Sequence, residues 1–316
     1  MRLGIDIGGQ SVKIGLVDES GKLLDQVSFP VDLSLTGNEI CDRIYHSSEY
    51  LMSKNGFGIS DVDFAGVGVP GRVDYGKGIV LHTPNLSLGG YPLAERLSFL
   101  FRFPVISGND ADCAALGEYL FGSGHDFTDI VFITLGTGVG GGIIINGRLL
   151  QGHSGAAGEI GHMVICHEGL KCGCGRNGCF EQYASASALV RMTRETMMED
   201  ADSLMWTVAG SIQNVSGKTA FEAAELKDRS AEKVISRYFE YLSVGIINLV
   251  NIFEPDAVII GGGISHEKPE NFIIPLEEKI NRRITELNTV DPPKIITAVL
   301  GNCSGMIGAA FLDHQF

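Results

Sequence analysis

Four times in this chain an apolar run ends in a cluster of glycines: "LGIDIGG" (3–9), "FAGVGVPG" (64–71), "VFITLGTGVGGG" (131–142) and "AVIIGGGIS" (257–265). Continuous apolar runs of this length are what strands buried in an α/β sheet require, and the glycines mark sharp turns at their ends. The first run continues as "SVKIGLVDESGKLLDQVSF", which alternates about the turn "DESG" and predicts a β-hairpin leading to a third strand. The openings at 3–29 and 131–150 are alike enough to predict a duplicated core unit. Helices are predicted at about 38–54, after "ND" in "NDADCAALGEYLFG", across 183–250 with a break near "NVSGK", and in the final "SGMIGAAFLDHQ". With 316 residues the chain has room for two domains.

Charge and cysteine usage narrow the function classes. A net charge of −14 argues against nucleic acid or an anionic membrane as partner, because phosphate contacts need clustered Lys and Arg. The longest apolar stretches, such as "IVFITL", are strand-sized, and the start "MRLGIDIGGQ" carries no signal-type run. The seven cysteines are an odd number, three of them crowded between 172 and 179, which predicts a reduced, cytoplasmic protein rather than a disulfide framework.

Glycine turns after strands let backbone N–H groups approach an anion, since no Cβ blocks the way. "DIGGQSVK", "LGTGVGGG" and "GGGIS" are three such turns, and together they point to a nucleotide held between two lobes. None has P-loop spacing, and none gives a dinucleotide fingerprint. Asp6, at a strand end before Gly8 and Gly9, is suited to a Mg²⁺ bridged to phosphates; the alternative is a carboxylate serving loop N–H groups. Cys172, Cys174 and Cys179, spaced C-x-C-x4-C among glycines, suit a tetrahedral Zn²⁺, with buried free thiols as the alternative. His162, Cys166 and His167 are all near enough in sequence to be a fourth ligand. A closed four-ligand site has no position for a reacting water, so such a zinc is structural.

"DIGGQSVKIGLVD", "GVGVPGRVD", "GNDADCAALGE", "ITLGTGVGGGIIINGRLLQGHSGAAGEIGH" and "CGCGRNGCFEQYAS", in this order, resemble the ROK family of sugar kinases. The resemblance implies an α/β protein with the actin-like, ribonuclease H-like two-lobe ATPase fold, its nucleotide/sugar cleft lying between lobes of residues 1–115 plus 300–316 and 116–299. It implies ATP-dependent phosphorylation of a hexose at the 6-hydroxyl, glucokinase first, with N-acetylhexosamine kinases and then fructose, allose and β-glucoside kinases as alternatives. Two other classes stand beside it, a sugar-responsive repressor and a non-catalytic sugar- or nucleotide-binding regulator. It implies ATP and Mg²⁺ held by Asp6, Gly8, Gly9, Gln10, Lys13, Thr137, Gly138, Gly261 and Gly262, and a homodimer. The sugar readers it implies are Asn85, Asn109, Asp110, Glu159, His162 and Glu181, although each residue type also serves as a loop or cap residue. It makes Asp110 the general base, where the residue alone reads equally as a helix cap. It selects His162 as the fourth zinc ligand. The chain departs from the family pattern at Gln10, where Thr is usual, at Asp112, where Asn is common, and in "PNLSLGG", which lacks a Trp.

Overall fold

The computed structural model describes residues 1–84, 86–287 and 291–315. The chain opens with β1 (Arg2–Ile7), β2 (Ser11–Val17) and β3 (Leu23–Pro30), then α1 (Gly37–Lys54), β4 (Phe64–Val69), a small hairpin of β5 (Arg72–Asp74) and β6 (Ile79–His82), and α2 (Leu93–Phe101). It continues through β7 (Val105–Asn109), α3 (Asp110–Phe121), β8 (Ile130–Leu135), β9 (Val139–Ile145) and β10 (Arg148–Leu149). After an irregular stretch come α4 (Glu181–Ala184), α5 (Ala186–Glu199), α6 (Met205–Ala209), α7 (Thr219–Glu225) and the long α8 (Arg229–Phe253). The end is β11 (Ala257–Gly262), α9 (Ile273–Leu287), β12 (Lys294–Thr297) and α10 (Ser304–Ala309). No helix among the described residues is long and apolar enough to cross a membrane.

Two five-stranded sheets result, in the orders β3-β2-β1-β4-β7 and β10-β9-β8-β11-β12. Each sets an antiparallel meander beside strands that arrive from elsewhere in the chain. β1 to β3 are antiparallel, β4 and β7 join parallel to β1, and β11 pairs parallel with β12. The repeated order is the duplicated unit expected from the two similar openings. Every residue of β4 is buried, as a strand covered on both faces must be, while edge strand β3 alternates between half-buried and exposed positions. One face of the first sheet packs Leu3, Ile5, Ile7, Ala65, Val67 and Val69 against α1 and α2 through Ile40, Ile44, Leu51, Leu93 and Leu97.

Glycines let α10 lie directly on the other face. A Cβ at Gly4 would stand 1.8 Å from the Met306 carbonyl oxygen, and one at Gly66 would stand 1.7 Å from that of Ala309. α10 and α3 meet as closely, since a Cβ at Gly117 would lie 2.4 Å from Ser304 O and one at Gly308 would lie 1.8 Å from Cys113 O.

By packing, the chain forms two compact units: Met1–Phe132 with Gly142–Gly158 and Val299–Phe316, and Ile133–Gly141 with Glu159–Ala298. Residues 116–132 and 142–158 therefore belong with the first unit, not with the 116–299 segment expected from sequence. The α3–α10 contact is the reason: a helix locked at both Cys113 and Gly117 cannot be divided at 115. Gly142 likewise leaves room for Ala115, whose Cβ would be 2.4 Å from a Cβ there.

Other boundaries moved too. Gly140, Gly141 and Gly142 were expected in a turn but lie inside β9, and the turn is confined to Gly136–Thr137–Gly138. The helical stretch 183–250 breaks at 210–218, as expected near "NVSGK", but also at 185, 200–204 and 226–228, in part because Trp206 Nε1–H turns back to donate to the Met197 and Asp200 carbonyls. The terminal helix is only α10 followed by a short 3₁₀ turn, Leu312–Gln315.

Because the obstructing atoms at Gly66 are backbone, Gly66→Ala is expected to lower unfolding stability by about 1–3 kcal/mol or more, the range for overpacking. Urea denaturation measures it. A variant as stable as the parent would show that α10 is not held against β4 as described.

Candidate active site

Within the first unit the junction of β7 and α3 is held by several side-chain hydrogen bonds to backbone. Asn109 has extended dihedrals (φ −69°, ψ 145°) and is the N-cap: its Oδ1 accepts from Ala111 N (2.8 Å) and Asp112 N (3.1 Å). Its Nδ2 donates to Gly71 O at 2.8 Å. Asp110 is thus the first helical residue and not the cap, which corrects the capping alternative. Its Oδ1 accepts from Ala111 N at 2.9 Å, and its carboxylate is partly exposed. Asp112, two residues on, is 2% exposed and accepts the Tyr75 hydroxyl proton.

Asp6 stands at the end of β1, with a side chain 19% exposed. Burial pushes its carboxyl up, opposed by Lys13, whose Nζ lies 3.8 Å away. Burial, with the charges of Asp112, Asp6 and Asp110 added to it, holds the Cys113 thiol well above its usual range. Gly8, Gly9 and Gln10 form the turn between β1 and β2, closed by Gly8 N donating to Ser11 O (2.9 Å). A Cβ at Gly9 would meet nothing within 4 Å, so that turn is open to a ligand, and Gln10 is exposed beside it.

The second unit contributes a turn, a thiol cluster and a carboxylate that touches both. Gly136 N donates to Gly138 O (3.0 Å), leaving Thr137 exposed at the tip beside a groove of about 560 Å³ walled by α5, including Ala186, Val190 and Arg194. Glu181 opens α4 and reaches this turn: its Oε2 accepts from Val139 N at 3.2 Å and occupies the place a Cβ at Gly138 would need, 2.2 Å away. Its Oε1 lies 3.9 Å from Cys172 Sγ. Phe180, fully buried, anchors Glu181 by fitting against Gly245 of α8, where any side chain would strike its ring.

His162, Cys172, Cys174 and Cys179 offer donor atoms all within 4.8 Å of one another. Cys172 Sγ is 3.7 Å from His162 Nδ1, and Cys174 Sγ is 3.6 Å from Cys179 Sγ. A tetrahedral zinc with bonds of about 2.3 Å to sulfur would space its ligands about 3.8 Å apart, so the donor set fits that ion. Cys166 and His167 lie outside the cluster, which resolves the open choice of a fourth ligand. The loop is stitched by Cys172 N to Arg176 O (2.8 Å) and Gly178 N to Leu170 O (2.8 Å), with Gly175 and Gly178 at positive φ. Arg176 was not singled out from sequence. It holds the Cys174 thiol down at about 6 and donates from its guanidinium to His162 O (2.9 Å), while burial pushes Cys179 up to about 12.

Glu159 is exposed and stands just before the short turn Ile160–His162, its carbonyl accepting from His162 N at 3.1 Å. Gly261 and Gly262 end β11, and Gly262 is needed for packing, since a Cβ there would stand 2.4 Å from Leu135 O. Asn85 lies outside the described residues. Tyr75 was missed by sequence reasoning, for which a lone tyrosine in a hairpin carries no signal.

Comparison with known proteins adds to this geometry. The model of the ROK family matches residues 2–315. The chain is similar to a glucokinase of Streptomyces coelicolor, 36% identical over 100% of this chain and 98% of that protein. It is likewise similar to a glucokinase of Halalkalibacterium halodurans, 33% identical over 99% and 94% of the two chains. Among solved structures, a ROK family glucokinase from Streptomyces griseus in complex with glucose and AMPPNP superposes with a TM-score of 0.82 at 35% identity, covering 100% of this chain and 99% of that one.

The cluster geometry predicts about one equivalent of tightly held zinc per chain, measured by metal analysis of purified protein. Cys174→Ser should lower both metal content and melting temperature. A metal-free protein that melts like the loaded one would overturn this.

Proposed function

The chain belongs to the ROK family and has its actin-like two-lobe fold, and from that premise we propose that it is an ATP-dependent hexose kinase, a glucokinase acting at the 6-hydroxyl. The observation that carries this reading is likeness along the full length, at 35% identity, to a kinase holding glucose and a non-hydrolysable ATP analogue. The acidic residues the reaction needs are present in the first unit.

A hexose hydroxyl is a weak nucleophile at neutral pH, and phosphoryl transfer rests mainly on positioning and charge. Asp110, held on the first turn of α3, is the group we assign to accept the hydroxyl proton as the γ-phosphoryl group transfers in line. Asp6 would hold Mg²⁺, which, when bound, neutralises phosphate charge. The open turn of Gly8, Gly9 and Gln10, with Lys13, and the turn at Thr137 and Gly138 would contact the phosphates. Gly261 and Gly262 would support that side from the end of β11.

The sugar would be read by Asn109, Asp110, Glu159, His162 and Glu181; Asn85, expected from the same resemblance, lies outside the described residues. Asn109 does so with only part of its amide, since its cap and Gly71 take the rest. In His162, Nδ1 faces the thiols, so a bound metal would leave Nε2 as a proton donor toward a sugar oxygen. Zn²⁺ bound by His162, Cys172, Cys174 and Cys179 would supply rigidity and no chemistry, a closed donor set leaving no site for a reacting water. The expected homodimer rests on the family resemblance alone, and the cytoplasmic location on cysteine usage.

A panel of hexoses with ATP, followed by ADP release, tests the reading; glucose should give the highest kcat/KM. Asp110→Asn keeps shape and should lower kcat by roughly 10²–10⁴-fold, the range for loss of a general base, with sugar affinity much less changed. Because Asn109 and not Asp110 caps the helix, the melting temperature should hold. A folded variant retaining most of its turnover would remove Asp110 from the role.

A further inference from the structure

We propose that Tyr75 and Asp112 form a positioning pair that holds the Asn109–Asp110 junction in its working geometry, an inference that rests on Asp110 being the proton acceptor. Tyr75 follows β5 directly and is 9% exposed. Its ring lies on the backbone of β7 at Gly108, where a Cβ would stand 2.9 Å from Tyr75 Cε1. On its other side a Cβ at Gly155 would stand 3.4 Å from Tyr75 Cδ2. The ring therefore has little freedom, and its hydroxyl is delivered to one place.

That hydroxyl does two things there. It donates to Asp112 Oδ2 at 2.5 Å and accepts from Asn109 N at 3.0 Å. With the Gly71 carbonyl taking the Asn109 amide, the residues flanking β5 supply two separate bonds to the residue immediately before Asp110. The cap then passes that constraint to the first turn of α3 through the N–H groups of Ala111 and Asp112. None of these bonds touches the reacting atoms, so Tyr75 and Asp112 act through Asp110.

The residue type at 112 adds to the weight of the hydroxyl. Asn, common here in the family pattern, would accept the same bond as a neutral amide. Asp112 is 2% exposed and takes the Tyr75 hydroxyl on Oδ2, and a short hydrogen bond from a fixed phenol to a buried carboxyl group is a strong one. Removing the hydroxyl alone thus costs a buried carboxyl group a donor and the part-buried Asn109 N–H its acceptor. The junction must then shift to find new partners, and a displacement near 1 Å can cost on the order of 10²-fold in rate.

The test is kinetic and uses the intact protein with ATP and its best sugar. Tyr75→Phe should lower kcat by roughly 10²-fold with KM for ATP unchanged. The double variant Tyr75→Phe/Asp112→Asn should recover part of that loss, since a neutral amide tolerates a missing donor, yet remain slower than Asp112→Asn alone, because Asn109 N still lacks its acceptor. A purely structural role predicts lower melting temperatures with kcat of the folded protein unchanged, and that result would overturn the proposal. Should Tyr75→Phe fail to fold, the comparison of the double variant with Asp112→Asn decides: equal kcat values refute the pair. An inactive Asp110→Asn beside a fully active Tyr75→Phe refutes only this inference, whereas an active Asp110→Asn refutes the assignment of the base.

Discussion

The first unit depends on backbone meeting backbone at α10. Side chains usually hold a helix some 8–10 Å from what it packs on. Here Gly4 and Gly66 in two adjacent strands, and the pair Gly117 and Gly308 between helices, remove that spacing. α10 is thereby wedged against both β1 and α3. The same wedge brings the end of one and the start of the other to a common point: Gly305 of α10 lies against Asp6, where a Cβ would be 3.3 Å from the carboxyl carbon. Two acids more than a hundred residues apart in sequence owe their nearness to a stripe of missing side chains.

In the second unit a loop of little regular structure takes the corresponding place. It has few apolar side chains to bury, and its glycines give it conformational freedom that folding must remove. Four converging ligands are an efficient way to remove it, because metal binding free energy is folding free energy for such a segment. Phe180 ties the loop to α8, and Glu181 carries the result on to the turn at Thr137.

Much of this was legible from residues alone, and the failures have identifiable causes. Continuous apolar runs announced β1, β4, β8 and β11, because strands buried on both faces leave no alternation to misread. The glycines after β8 misled: a run of three reads as a turn, yet Gly142 sits in a strand because Ala115 of a distant helix needs the space. Short helices between 181 and 225 were merged for a similar reason, their ends being set by tertiary contacts such as that of Trp206. Asn109 and Asp110 are both good caps, and only dihedral angles decide between them. Spacing could not separate His162 from Cys166 and His167, since the choice depends on how the loop folds back at Gly178. Single carboxylates such as Glu159 and Glu181 carry no periodic signal, and only resemblance to a family marked them.

The missing side chain at Gly138 has a consequence beyond packing. Because Glu181 fills that space with one oxygen on Val139 N and the other near Cys172, the tip at Thr137 and the thiol cluster compete for the orientation of one carboxylate. Whatever binds at either end and prefers one rotation of that group must, by thermodynamic reciprocity, be felt equally at the other. Under the proposed function, a metal in the cluster would thereby also be a party to the energetics of a nucleotide at that tip, and a residue with no side chain at all is what admits it.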